Sequence, residues 1–142
     1  MVLMKPRSAL IYSRASFFLL TGFVFSGPRS KVSRGNERFK EKNYEKAYEA
    51  YSQAQLDDPT NAAITFNMAD VLYRQKKYND AYSFFKKTAE KAEVDLQADA
   101  LYNMGNTLYK QGKLQESLKK YKDALKRDPD DEDIKYNIEF VE

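Results

Sequence analysis

The 142 residues predict an all-α chain, an array of antiparallel helix pairs, and three observations carry that expectation. Ala47, Ala81 and Ser117 are spaced 34 and 36 apart, and so are Tyr51, Phe85 and Tyr121, and Gly35, Ala69 and Gly105. A small residue, an aromatic and another small residue recurring at such a period mark a repeat architecture. Inside each repeat the apolar residues fall at helical spacing rather than in alternation. Five glycines and four prolines are too few for the many turns of an all-β fold.

The first segment, residues 1–27, differs from the rest. Lys5, Arg7 and Arg14 lead into an uncharged apolar run from Ala15 to Phe25, followed by Ser26 and Gly27. A basic start, a short apolar stretch and a small-residue exit describe a secretory signal. The run has 11 residues, short of the roughly 20 that cross a hydrocarbon core. Arg29, Lys31 and Arg34 follow at once and resist translocation, so a membrane tether through residues 15–25 is the companion expectation. Both readings make the protein exported or membrane-tethered, with a cytoplasmic location as the alternative; the periplasmic side of a bacterial envelope is implied only by a resemblance given below.

Charge agrees with this division. Of 24 basic residues, three precede residue 28 and no acidic one does, leaving 21 against the 21 acidic residues. The body therefore lacks the basic footprint of a nucleic-acid binder.

Three units follow, over 28–61, 62–97 and 98–131, with a terminal helix over 132–142. In the first, Tyr44, Ala47, Tyr48, Tyr51 and Ala54 share one helix face. Tyr78, Ala81, Tyr82, Phe85 and Thr88 repeat it, as do Leu114, Ser117, Leu118, Tyr121 and Ala124. A preceding helix in each later unit carries Met68, Ala69 and Leu72, or Leu101, Met104, Gly105 and Leu108. "KNY", "KKY" and "GKL" separate the two helices. "DDPTN" and "RDPDD" stop the second one, because proline disfavours helical geometry in the residue before it. The second unit lacks that stop; "AEKAEVDLQ" adds two residues and predicts a longer helix or an altered joint. The last stretch, "EDIKYNIEFVE", is expected to cap the array, a role that calls for a polar outer face.

These units resemble the tetratricopeptide repeat (TPR) family, and "ALYNMGNTLYKQGKLQESLKKYKDALKRDPDD" is very close to its consensus. The likeness runs from Pro28 to Asp131. It implies a right-handed superhelix whose concave wall is lined by the first helix of each pair and holds peptide segments. Arg34 and Arg38 stand where that pattern has apolar residues, which predicts a first helix that packs loosely or acts as a cap. On the implied wall, one stripe reads Phe39, Phe66, Tyr73, Tyr102, Tyr109 and Tyr136; a second reads Asn36, Asn67, Asn103, Asn106 and Asn137. A third reads Lys40, Arg74 and Lys110, and Asp70 completes the expected peptide-binding groove. Asparagine both donates and accepts, so such a row can pair with peptide main chain. Rings add area at low entropic cost, and the cations select carboxylates. The expectation is a groove for an extended, somewhat acidic peptide or C-terminal tail.

Chaperone-binding members of the family clamp a terminal carboxylate with two asparagines and three cations. Asn36 and Asn67 match the asparagines, but Val32, Asp99 and Asn103 stand where the cations belong, which argues against that clamp. The tail "IKYNIEFV" and the exported layout are also similar to small TPR proteins of bacterial Bat (aerotolerance) operons, implying a membrane-protein complex as partner.

Catalysis is not expected. With no histidine or cysteine there is neither imidazole nor thiolate chemistry. "GNTLYKQGK" has its glycines seven apart and Leu114 where a phosphate loop needs Ser or Thr. "DPDDED" has Asp133 where a calcium loop needs glycine. A non-enzymatic protein-interaction module with no cofactor or metal is the functional expectation, a cytoplasmic adaptor or co-chaperone-like scaffold its alternative.

Overall fold

A computed structural model describes residues 28–142; the expected signal or anchor lies outside them. The described residues form seven helices: α1 Pro28–Lys40, α2 Tyr44–Asp57, α3 Ala62–Arg74, α4 Tyr78–Lys91, α5 Val94–Lys110, α6 Leu114–Leu125 and α7 Glu132–Val141. Each packs on the next, and α3 also touches α5, so the pairs α1–α2, α3–α4 and α5–α6 stack as a right-handed helical solenoid closed by α7. No helix among them is long and apolar enough to cross a membrane.

The turns inside the pairs are built alike. Lys42, Lys76 and Gly112 take left-handed φ of 59°, 61° and 76°. The following amides of Asn43, Lys77 and Lys113 reach back to Arg38, Leu72 and Leu108 carbonyls at 2.9 Å, the closure of a helix C-terminus of this type. Side chains of Asn61 and Asp131 accept from the first free amides of α3 and α7. Hence "DDPTN" and "RDPDD" both end one helix and start the next.

The repeating triplet forms the core. Ala47, Tyr51, Ala54, Ala81, Phe85, Thr88, Ser117, Tyr121 and Ala124 are all buried. Where serine replaces alanine, the Ser117 hydroxyl donates to the Gly105 carbonyl at 2.8 Å and so loses no hydrogen bond on burial. One cluster, around Phe66, Phe85, Ala100 and Met104, joins the second and third pairs.

One expectation is corrected, and the open choice for the second unit is settled. The first helix does not pack loosely: Val32 and Gly35 carry the contact with α2, while Arg34 faces water and Arg38 pairs with Glu41 at 2.8 Å. The two extra residues of the second unit do not extend its second helix. α4 ends at Lys91 like its counterparts, and α5 gains the length at its start, reaching 17 residues.

Close approach explains two glycines. A Cβ on Gly35 would stand 2.4 Å from the Tyr51 ring, and one on Gly105 would stand 2.5 Å from Tyr121. The second pair substitutes Ala69 under Phe85, a ring without a hydroxyl tether. Gly105→Ala is therefore expected to cost about 1–3 kcal/mol through overpacking, despite its better helix propensity. Adding Tyr121→Phe frees the ring to move, so the double variant should lose less in a urea titration than the two single losses added together. Strict additivity would contradict this.

Candidate functional site

The first helices α1, α3 and α5, continued by α7, form the inner row of the solenoid, and every expected groove residue lies on them. They do not all face water. Lys40, Arg74, Lys110 and Tyr136 are exposed, and Asn36, Phe39 and Tyr109 are half-buried. Phe66, Asn67, Asp70, Tyr73, Tyr102, Asn103 and Asn106 are buried.

The reason is that the buried residues hold each pair together. Phe66 meets Phe85 edge-on at 5.4 Å, Tyr102 lies 5.7 Å from Tyr121, and Tyr73 meets Tyr78 at 5.5 Å. Three rings expected as open surface thus belong to the core.

The asparagine row is likewise mostly internal. The Tyr51 hydroxyl donates to Asn36 Oδ1, and the Tyr121 hydroxyl to Asn106 Oδ1, both at 2.7 Å. Asn106 Nδ2 donates to Asn103 Oδ1 at 3.2 Å. From α7, Asn137 Nδ2 donates to the Tyr102 hydroxyl at 2.9 Å and to Asn106 Oδ1 at 3.3 Å. Asn103 Nδ2 is buried without a hydrogen-bond partner. Burial pushes the phenols of Tyr51, Tyr102 and Tyr121 well above the ordinary range, and burial with Tyr78 nearby pushes Tyr73 up to about 12. These hydroxyls stay neutral donors at physiological pH, which keeps the network intact.

What remains accessible is an outer edge that repeats unit by unit. It consists of the exposed Lys40, Arg74 and Lys110, with the half-buried rings of Phe39 and Tyr109 beside its two ends and Tyr73 buried behind its middle. Arg74 stands 6.0 Å over the Phe39 ring of the preceding unit, so cation and ring meet across the first two helix pairs. Beside its start a shallow cleft is lined by Ser33, Asn36, Glu37 and Lys40. At the other end Phe140 stacks on Tyr136 at 6.1 Å and meets Tyr109 at the same distance. Tyr136 is 45% and Phe140 43% exposed, so the outer face of α7 carries two rings beside the exposed Glu132 and Glu139. The sequence reading passed over Phe140; its place one helical turn after Tyr136 is the signal that could have found it.

Comparison with known proteins follows this geometry. The sequence profile described as tetratricopeptide repeat matches residues 60–130, and one described as TPR repeat matches residues 35–76. Stress-induced-phosphoprotein 1 of Caenorhabditis elegans is 31% identical over 103 residues, 68% of this chain and 32% of that protein. The chain thus spans about a third of the length of this curated relative. The solved N-terminal domain of stress-induced protein-1 from C. elegans is similar with a TM-score of 0.72 at 28% identity, covering 81% of this chain and 94% of that one. The second TPR of Spaghetti (RPAP3), solved bound to the HSP90 peptide SRMEEVD, has a TM-score of 0.63 at 28% identity, covering 69% and 89%.

Proposed function

The chain belongs to the tetratricopeptide-repeat family, and from that we propose a co-chaperone-like adaptor, without catalysis of its own, that holds an extended acidic segment along its concave edge. One observation carries the reading: Lys40, Arg74 and Lys110 stand exposed at the same place in three successive first helices, with Arg74 over the Phe39 ring. A row of cations pairs with acidic side chains of a bound strand while the half-buried rings of Phe39 and Tyr109 cover its apolar ones. The relatives support an adaptor more than an envelope component, since one of them is solved with the HSP90 peptide SRMEEVD.

The mode of capture differs from a carboxylate clamp. Val32, Asp99 and Asn103 occupy the wall where clamp cations would be, all three buried and none of them cationic. None of the three supplies a cation for a terminal carboxylate, so the outer cations read internal acidic residues instead.

Fluorescently labelled SRMEEVD tests this. Lys40→Glu, Arg74→Glu and Lys110→Glu together should weaken binding by about tenfold or more through lost and reversed charge, with helicity unchanged because all three side chains are exposed. Amidating the peptide's C-terminus should change affinity by less than about threefold. Full affinity in the triple variant would remove the edge from the mechanism. Asn106 is unsuitable for such a test, because it belongs to the core network.

Location is a separate proposal. The basic start and apolar run of residues 15–25 support export or a membrane tether, and fractionation of cells carrying the full chain and a form lacking residues 1–27 tests it.

A further inference from the structure

On the side of the second helices, α4, α5 and α6 enclose a cleft of about 560 Å³ that none of the concave-edge residues lines. Three helical stripes converge on it. Tyr82, Lys86 and Ala89 come from α4, Gln97, Leu101 and Met104 from α5, and Lys120 and Asp123 from α6, with Arg127 just beyond. Each stripe follows the spacing of one helix face. The floor is apolar, since Leu101 is half-buried and Met104 buried.

The edge is cationic and partly fixed. Gln97 bridges the cleft: its Nε2 donates to the Ala89 carbonyl at 2.8 Å, and its Oε1 accepts from Arg127 Nε at 2.7 Å. That strut orients the guanidinium through its inner nitrogen and leaves the two terminal amino groups for a planar acceptor. Lys86 and Lys120 stand on the opposite flanks. Two acids share the edge: Asp123 is engaged by Lys126 at 3.2 Å, and Glu90 lies one helical turn after Lys86.

We propose that this cleft is a second docking site, distinct from the concave edge, for an acidic protein segment. The segment lays one large apolar side chain on Leu101 and Met104 and presents a carboxylate to Arg127, with Lys86 and Lys120 reading its neighbours. The strut spans the joint that the two extra residues of the second unit lengthen, so the site belongs to this joint and not to every repeat.

The test uses the full chain and a capped probe, acetyl-EEDLFEEDD-amide, which has no terminal carboxylate. Amide shifts in labelled protein are expected at Gln97, Leu101, Lys120 and Arg127. Lys120→Ala with Arg127→Ala should weaken binding about tenfold, Gln97→Ala about threefold through loss of orientation, and the concave triple variant less than twofold. Replacing Leu-Phe of the probe by Gly-Gly should also weaken it, which separates docking from charge attraction alone. Unchanged affinity in the double variant, shifts confined to the concave edge, or no saturation by the wild type would each overturn the site.

Discussion

Phe85→Ala is expected to destabilise the protein by about 3–5 kcal/mol, the range for emptying a large aromatic site in a core that cannot collapse around it. Phe85 is fully buried, meets Phe66 edge-on, and belongs to the cluster that joins the second and third pairs. In a repeat array each pair leans only on its neighbours, so a cavity at the middle also weakens the coupling between the two ends. Thermal unfolding should therefore move to lower temperature and broaden into two steps. Phe85→Leu keeps most of the volume and should cost less, with one transition preserved. A single sharp transition within about 1 kcal/mol of wild type after Phe85→Ala would mean the core does not run through this residue.

Asn106→Ala is expected to cost on the order of 3 kcal/mol, although the side chain is small and polar. Its Oδ1 accepts from Tyr121 and Asn137, and its Nδ2 supplies Asn103. Truncation strands the buried Tyr121 hydroxyl and the Asn103 carbonyl, each worth about 1–3 kcal/mol when left without a partner. It also removes one of the two bonds by which Asn137 ties α7 to α5, so hydrogen exchange in Glu132–Val141 should accelerate more than in Pro28–Lys40. Tyr121→Phe removes the same hydroxyl bond but leaves Asn106 to serve Asn103 and Asn137, and it should be milder. Equal costs for the two variants would contradict the assigned roles.

Much of this architecture was legible because it is periodic. Ala47, Tyr51 and Ala54 recur in the later units, and their burial follows from helical spacing alone. The edge cations were legible for the same reason. The fate of Phe66, Tyr102 and Asn106 was not, because spacing names a helix face without saying whether water or a partner helix covers it. In a first helix both flanks are packed, one on its own pair and one on the next unit, and only a narrow outer edge stays open. Arg34 and Arg38 misled in the opposite sense: they face water or Glu41 while Val32 and Gly35 make the contact. The Gln97–Arg127 strut had no local signal, since its members are 30 residues apart and meet only through the stacking of α5 on α6.

The concave edge is tested most directly by the amide shifts of isotope-labelled protein during titration with SRMEEVD. Saturable shifts at Phe39, Lys40, Tyr73, Arg74, Tyr109 and Lys110, with Gln97 and Arg127 still, are the expected result. Shifts that leave those six amides unmoved while the peptide binds elsewhere would contradict the groove.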